Sequence, residues 1–265
     1  MTNITPTYDV KETAQNAREF VKQNKSVIWN VFKPFVMVLL VLFLFDVVMR
    51  DVFLSDAYAG FNLGSIISVY FMTIIMISYY RLVMKGTQIF VPTKMFQPTE
   101  SELLFVVMFF VFFAAFSLSI ALLSPLLSSA PMVVEYILIA VLILVQAVIL
   151  YRVSFYFVGC AIDEEMDIKK SVQQTSGFVI RIVVSFLFAS WRVFGIVLLC
   201  FSFITLVSIV FEEMEFPEIV LRIFTFITLF PLMVYITPIL MTLHAYVVSN
   251  YYVYAQQNNA PESTP

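Results

Sequence analysis

The sequence predicts an all-α fold: a polytopic membrane helix bundle of six transmembrane helices with both termini in the cytoplasm. Amphipathic surface helices are expected before span one and between spans four and five. Three observations carry this expectation. Hydrophobic residues make up 61% of the 265-residue chain and charged residues 12%, with a mean hydropathy of +0.95. A soluble domain carries about 25% charged residues, so this chain has too few polar side chains to coat a globule of its length. Apolar runs of about 20 residues, long enough at 1.5 Å per residue to cross a hydrocarbon core, recur along it. Finally, Lys and Arg gather in alternate loops.

The expected organisation is an amphipathic cytoplasmic segment over residues 1–26, a membrane domain over 27–250 and a short polar cytoplasmic tail over 251–265. In the first segment Val10, Ala14, Ala17 and Val21, continued by Ile28 at the start of span one, fall at helical spacing beside a stripe of Lys11, Arg18, Lys22 and Lys25. This pattern reads as a helix lying on the cytoplasmic leaflet, its cations meeting anionic headgroups. The plainer alternative is a solvated helix packed on the protein's own loops. The first strongly apolar run begins only near Pro34, after this charged stretch, so insertion without a cleaved leader is expected.

The spans are expected over 27–49, 61–80, 103–124, 132–151, 193–211 and 223–247. Lys33 and Asp46 bracket the apolar heart of the first. Lys33 can snorkel to one interface, and Asp46 can pair with Arg50 one turn on. Pro231 and Pro238 each remove a backbone donor from the last span and should kink it. Residues 183–192 fit either an interfacial stretch or the start of span five.

Orientation follows from the cations. Lys11, Arg18, Lys22, Lys25, Lys33, Arg81, Lys85, Lys94, Arg152, Lys169, Lys170, Arg181 and Arg192 fall on one side, and only Arg50 and Arg222 on the other. The opposite side carries Asp46, Asp51, Asp56, Glu135, Glu212, Glu213, Glu215 and Glu218. The positive-inside rule then places both termini in the cytoplasm.

One polar interruption stands out, LYRVSFYFVGCAIDEEMDIKKSVQQTSG at 150–177. Tyr151 and Arg152 suit the cytoplasmic boundary of span four. A surface helix is expected to start at Asp163 as N-cap. Glu164 and Glu165 in its first turn oppose the dipole, and Glu165 stands four residues before Lys169. Gly177 offers a stop or bend. A metal or acid–base site of Asp163, Glu164, Glu165 and Asp167 is the competing reading, but consecutive helical carboxylates point in different directions, whereas a hard cation needs oxygens that converge.

Chemistry is otherwise sparse. No P-loop, H-E-x-x-H or G-x-S-x-G occurs. The net charge of −3 gives no case for nucleic acid. Cys160 and Cys200 suggest neither a disulfide framework nor a zinc site. The single histidine, His244, reads as a packed or interfacial ring. No catalytic, cofactor-binding or metal-binding residue is expected.

The candidate interaction surface is Lys11, Arg18, Lys22, Lys25, Arg81, Arg152, Asp163, Glu164 and Glu165. Its expected partners are membrane lipids and other membrane proteins or a second copy of the chain. The function expected is a non-enzymatic accessory or structural component of a membrane assembly. A transporter or lipid-handling protein is the alternative. A transporter would gather a polar cavity from Asn62, Ser65, Ser68, Thr73 and Gln146.

Three stretches carry a family resemblance: REFVKQNKSVIWNVFKPF before span one, ISYYRLVMKGTQIFVPTKM after span two, and the polar interruption extended through Arg181. Together they resemble the YciC-like bacterial inner-membrane proteins, a group similar to the membrane domain of some glycerophosphodiester phosphodiesterases. The chain departs from that pattern at Gly159–Cys160, where a proline is usual, and after Ser171, where a Trp is usual. The resemblance implies a six-helix inner-membrane protein with no assigned catalytic residue.

Overall fold

The computed structural model describes residues 4–53, 63–87, 97–129, 132–164, 167–214 and 218–258. Among these the regular structure is entirely helical: α1 (Val10–Gln23), α2 (Lys25–Phe53), α3 (Leu63–Lys85), α4 (Glu100–Ser129), α5 (Met132–Arg152), α6 (Ser154–Ile162), α7 (Ile168–Thr175), α8 (Val179–Glu213) and α9 (Glu218–Asn258). Four helices are long and apolar enough to cross a membrane, over Ile66–Lys85, Glu100–Leu123, Val179–Phe211 and Ile227–Asn258. Counting the bent pairs α1–α2 (73°) and α5–α6 (42°) as one span each raises that number to six.

The amphipathic reading of α1 holds for its periodicity. Asp9 caps it, accepting from the Glu12 N–H at 2.8 Å, and Ala14, Ala17 and Val21 form one buried face. The surface that covers this face differs from expectation. Helices α8 and α9 pack on it, leaving Ala14 at 1% and Ala17 at 0% exposure. Alanines let backbones approach closely, so the face expected to enter the leaflet is taken up by the protein, and by helices rather than loops. Asn250 of α9 fixes the approach. Its side-chain oxygen accepts from the Thr7 N–H at 3.0 Å, and its amide nitrogen donates to the Thr7 carbonyl at 2.8 Å and to Thr13 Oγ1 at 3.1 Å.

The protein-packed core sits at one end of the bundle, the end where the cations gather. Tyr79, Tyr80, Phe32, Phe35, Phe155, Tyr251 and Tyr252 are its largest members. Of the four helices long and apolar enough to cross alone, α3 is the most enclosed, 67% buried over its apolar stretch, against 33% for α9, 12% for α4 and 6% for α8. Ile137, Val141 and Leu144 on α5 and Leu198, Leu199 and Leu206 on α8 are exposed. Such apolar surface needs lipid or another apolar partner.

Two boundaries move. α8 is one unbroken helix from Val179, so residues 183–192 belong to it. α9 runs through both prolines and past residue 250, with Tyr251, Tyr252, Val253 and Ala255 buried. Residues 251–255 therefore pack with the bundle, although they open the stretch expected as a polar tail, and the helix becomes exposed at Gln257 and Asn258.

Candidate functional site

Glu102 and Asp163 meet at Arg81, near the C-terminal end of α3. Its Nε donates to the Ala161 carbonyl at 2.6 Å, one of the carbonyls left without an intrahelical partner at the end of α6. One terminal nitrogen pairs with Glu102 of α4, and the other lies 3.4 Å from Asp163 Oδ2. Arg81 and Glu102 are both buried, whereas the Asp163 side chain is 50% exposed. Lys85 Nζ stands 3.7 Å from the same carboxylate, and Ser101 Oγ donates to it at 2.6 Å. One guanidinium thus fastens α3, α4 and α6. Its planar fork lets a single side chain serve three acceptors.

Local sequence explains each arm. α3 stops at Gly86, whose φ of 73° suits a residue without Cβ. α4 opens with a capping box at Thr99 and Glu102: the Thr99 N–H donates to Glu102 Oε2 at 2.6 Å, and the Glu102 N–H donates back to Thr99 Oγ1 at 3.4 Å. Glu102 uses its other oxygen for Arg81.

Asp163 corrects a sequence expectation. It is the C-cap of α6, in the left-handed region at φ 64° and ψ 31°, with its N–H bonded to the Gly159 carbonyl. The N-cap position of the next helix falls to Asp167, whose side chain makes no capping hydrogen bond. α6 ends at Asp163 because a helix cannot run through a left-handed residue, and the Asp163 carboxylate is held by Arg81 and Ser101. Glu164 follows this turn. It accepts from the Tyr252 hydroxyl of α9 and does not face a helix N-terminus. The expected Glu165 position and its pairing with Lys169 lie outside the described residues.

Arg152 stands apart from this junction. Its carbonyl, at the end of α5, accepts from Thr175 Oγ1 at 2.7 Å and Ser171 Oγ at 3.3 Å. Ser171 Oγ also accepts from the Tyr156 N–H at 3.0 Å, satisfying a donor in the first turn of α6. Two hydroxyls on α7 therefore cap both sides of the α5–α6 bend. On α1 and α2, Lys11, Lys22 and Lys25 are exposed, while Arg18 donates to the Phe188 carbonyl of α8 at 3.4 Å. The nine candidate surface residues divide accordingly. Arg81 and Asp163 meet, Glu164 is fixed nearby through Tyr252, Glu165 lies outside the described residues, and the other five are elsewhere.

Glu102, Ser101 and Tyr252 are not among the sequence candidates, and Lys85 and Ser171 enter there only as an orienting cation and as a departure from the family pattern. The Thr-x-x-Glu spacing of the capping box and the i, i+4 spacing of Ser171 and Thr175 were the available signals. Nothing local marked Tyr252.

Among the described residues no group of three His, Cys, Asp or Glu side chains is placed to hold a metal. His244 is packed among aromatic rings, with centroids 5.7 Å from Tyr151 and from Phe186, and its Nδ1 lies 3.4 Å from the Tyr80 hydroxyl. It borders a hollow of about 280 Å³ whose walls come from α3, α4, α5, α6, α8 and α9. Two residues expected to line a transporter's polar cavity have hydrogen-bond partners of their own. Thr73 bonds the Val69 carbonyl of its own helix at 2.6 Å, and Gln146 lies 3.5 Å from Ser119 on α4. Asn62 is outside the described residues. No protein-family profile, curated protein or solved structure matches the chain.

Proposed function

We propose that the chain is a non-enzymatic, multi-pass protein of the bacterial cytoplasmic membrane that crosses six times, keeps both termini inside, and serves as an accessory or structural component of a membrane assembly. One observation carries this reading. The Arg81 junction spends its charges on fastening three helices of the same chain, while exposed apolar side chains line α5 and α8. A rigid basic end with an apolar flank suits a part that other membrane components lean on. The YciC-like resemblance agrees with it. Arg81, Ser171 and Thr175 lie in the resembling stretches, and each makes a bond between helices.

Two measurements test the proposal. A tagged full-length chain purified from native membranes in mild detergent should retain a defined membrane-protein partner by mass spectrometry; recovery as a lone species would end the accessory role. Reporters fused after Pro265 should be active on the cytoplasmic side, and reporters inserted after Met214 outside. The reverse pattern would overturn the orientation.

A second reading, lipid handling, is favoured by the apolar-lined hollow beside His244. Lipid co-purifying at fixed stoichiometry, and lost on filling the hollow with Met241→Trp, would support it over the accessory role.

A further inference from the structure

At the elbow between α1 and α2 a groove of about 450 Å³ runs between the two helix ends and α9. Val21, Pro238 and Ile239 form its apolar wall, and Lys25 stands at its rim. Trp29 and Tyr235 flank it at 41% and 61% exposure. We propose that this groove binds one anionic phospholipid, an acyl chain lying against the apolar wall and the phosphate-bearing headgroup on Lys25. The inference rests on the membrane placement proposed above and deepens its lipid-partner reading by naming a site.

Three features choose this occupant. The wall is apolar, so it accepts hydrocarbon and offers a polar ligand few partners. The exposed charges near it in sequence, Glu19, Lys22, Lys25 and Lys33, are mostly cations, which complements an anionic headgroup. Trp29 and Tyr235 are the side chains that settle at headgroup depth, apolar body inward and polar edge outward. The 73° bend puts these features together: α1 turns aside along the protein while α2 descends, leaving the angle between them open toward α9.

The chain's two tryptophans make the test direct. The full-length protein is reconstituted into phosphatidylcholine bilayers containing a small fraction of lipid brominated on its acyl chains, either phosphatidylglycerol or phosphatidylcholine. A Trp191→Phe variant reports from Trp29 alone, and a Trp29→Phe variant reports from Trp191, exposed on α8. Trp29 should be quenched preferentially by brominated phosphatidylglycerol, and the ratio at Trp191, which lies under Arg192 at 5.4 Å, should not respond to changes at Lys25. Adding Lys25→Gln should reduce the preference at Trp29 by about fivefold in relative affinity, the effect of one surface cation on an anionic lipid. Lys11→Gln, at the far end of α1, should leave the preference intact.

Equal quenching of Trp29 by the two lipids, or equal loss in the Lys25 and Lys11 variants, would overturn the site. Trp29 shielded from both lipids while Trp191 is quenched would give the groove to a protein occupant and overturn it as well. Failure of both tryptophans to be quenched by either lipid would instead overturn the membrane placement on which the inference stands.

Discussion

Asp163 holds a backbone conformation that costs an L-residue roughly 1–2 kcal/mol, and few side chains other than glycine tolerate it. Aspartate tolerates it better than most, and here its carboxylate also receives Ser101 and faces Arg81. Replacement therefore separates two effects. Asp163→Gly loses the carboxylate and relieves the backbone, whereas Asp163→Ala loses the carboxylate and keeps the strain. The alanine variant should be the less stable by about 1 kcal/mol in thermal unfolding in detergent. The Arg81–Glu102 pair gives a second test at this scale. Removing one partner of a buried pair costs about 3–5 kcal/mol because the other charge stays behind. Arg81→Met and Glu102→Leu should each destabilise strongly, and the double variant by less than their sum, which a double-mutant cycle measures.

Among elements, the short helices do the fastening. α7 bears on the α5–α6 bend through Ser171 and Thr175, and α1 is held to α9 through Asn250. Asn250 is wholly buried, so deleting its amide strands the Thr7 N–H and removes the stronger donor to the Thr7 carbonyl. Asn250→Ala should cost about 1–3 kcal/mol for the lost partners. Hydrogen exchange should then speed up in α1 while α3 stays protected; equal acceleration in both would argue against a local role. α1 also shows why an amphipathic pattern alone left its setting open. The spacing of Ala14, Ala17 and Val21 specifies an apolar face but not whether lipid, loop or helix covers it.

Across the whole molecule, packing is uneven along the bundle axis. Aromatic side chains fill the basic end, while α4, α5 and α8 expose apolar side chains over most of their length. Soluble proteins cannot sustain such surface, and lipid removes its cost. A charge introduced at Leu199, exposed on α8, should cost about 2.5–3.5 kcal/mol of insertion free energy if that position lies at mid-bilayer depth. Leu199→Arg should accordingly reduce accumulation in the membrane fraction. Ile180→Arg, equally exposed but in the first turn of α8 at the basic end, should be tolerated. Similar losses in the two variants would break the link between depth and exposure.

Helix content, the long apolar segments and the break near Gly177 were all legible in the chain, because composition and a period of 3.6 are local properties that survive without knowledge of neighbours. The charged junction was not. Arg81, Glu102 and Asp163 are separated by loops and by whole helices, and their sequence neighbours suggested ordinary helix ends and a surface N-cap. Only tertiary structure decides that Asp163 ends α6 in a left-handed turn, that Tyr251, Tyr252, Val253 and Ala255 are buried, and that α1 spends its apolar face on α8 and α9. Each depends on what a side chain meets across space, and hydropathy, which scores residues one at a time, carries no record of that meeting.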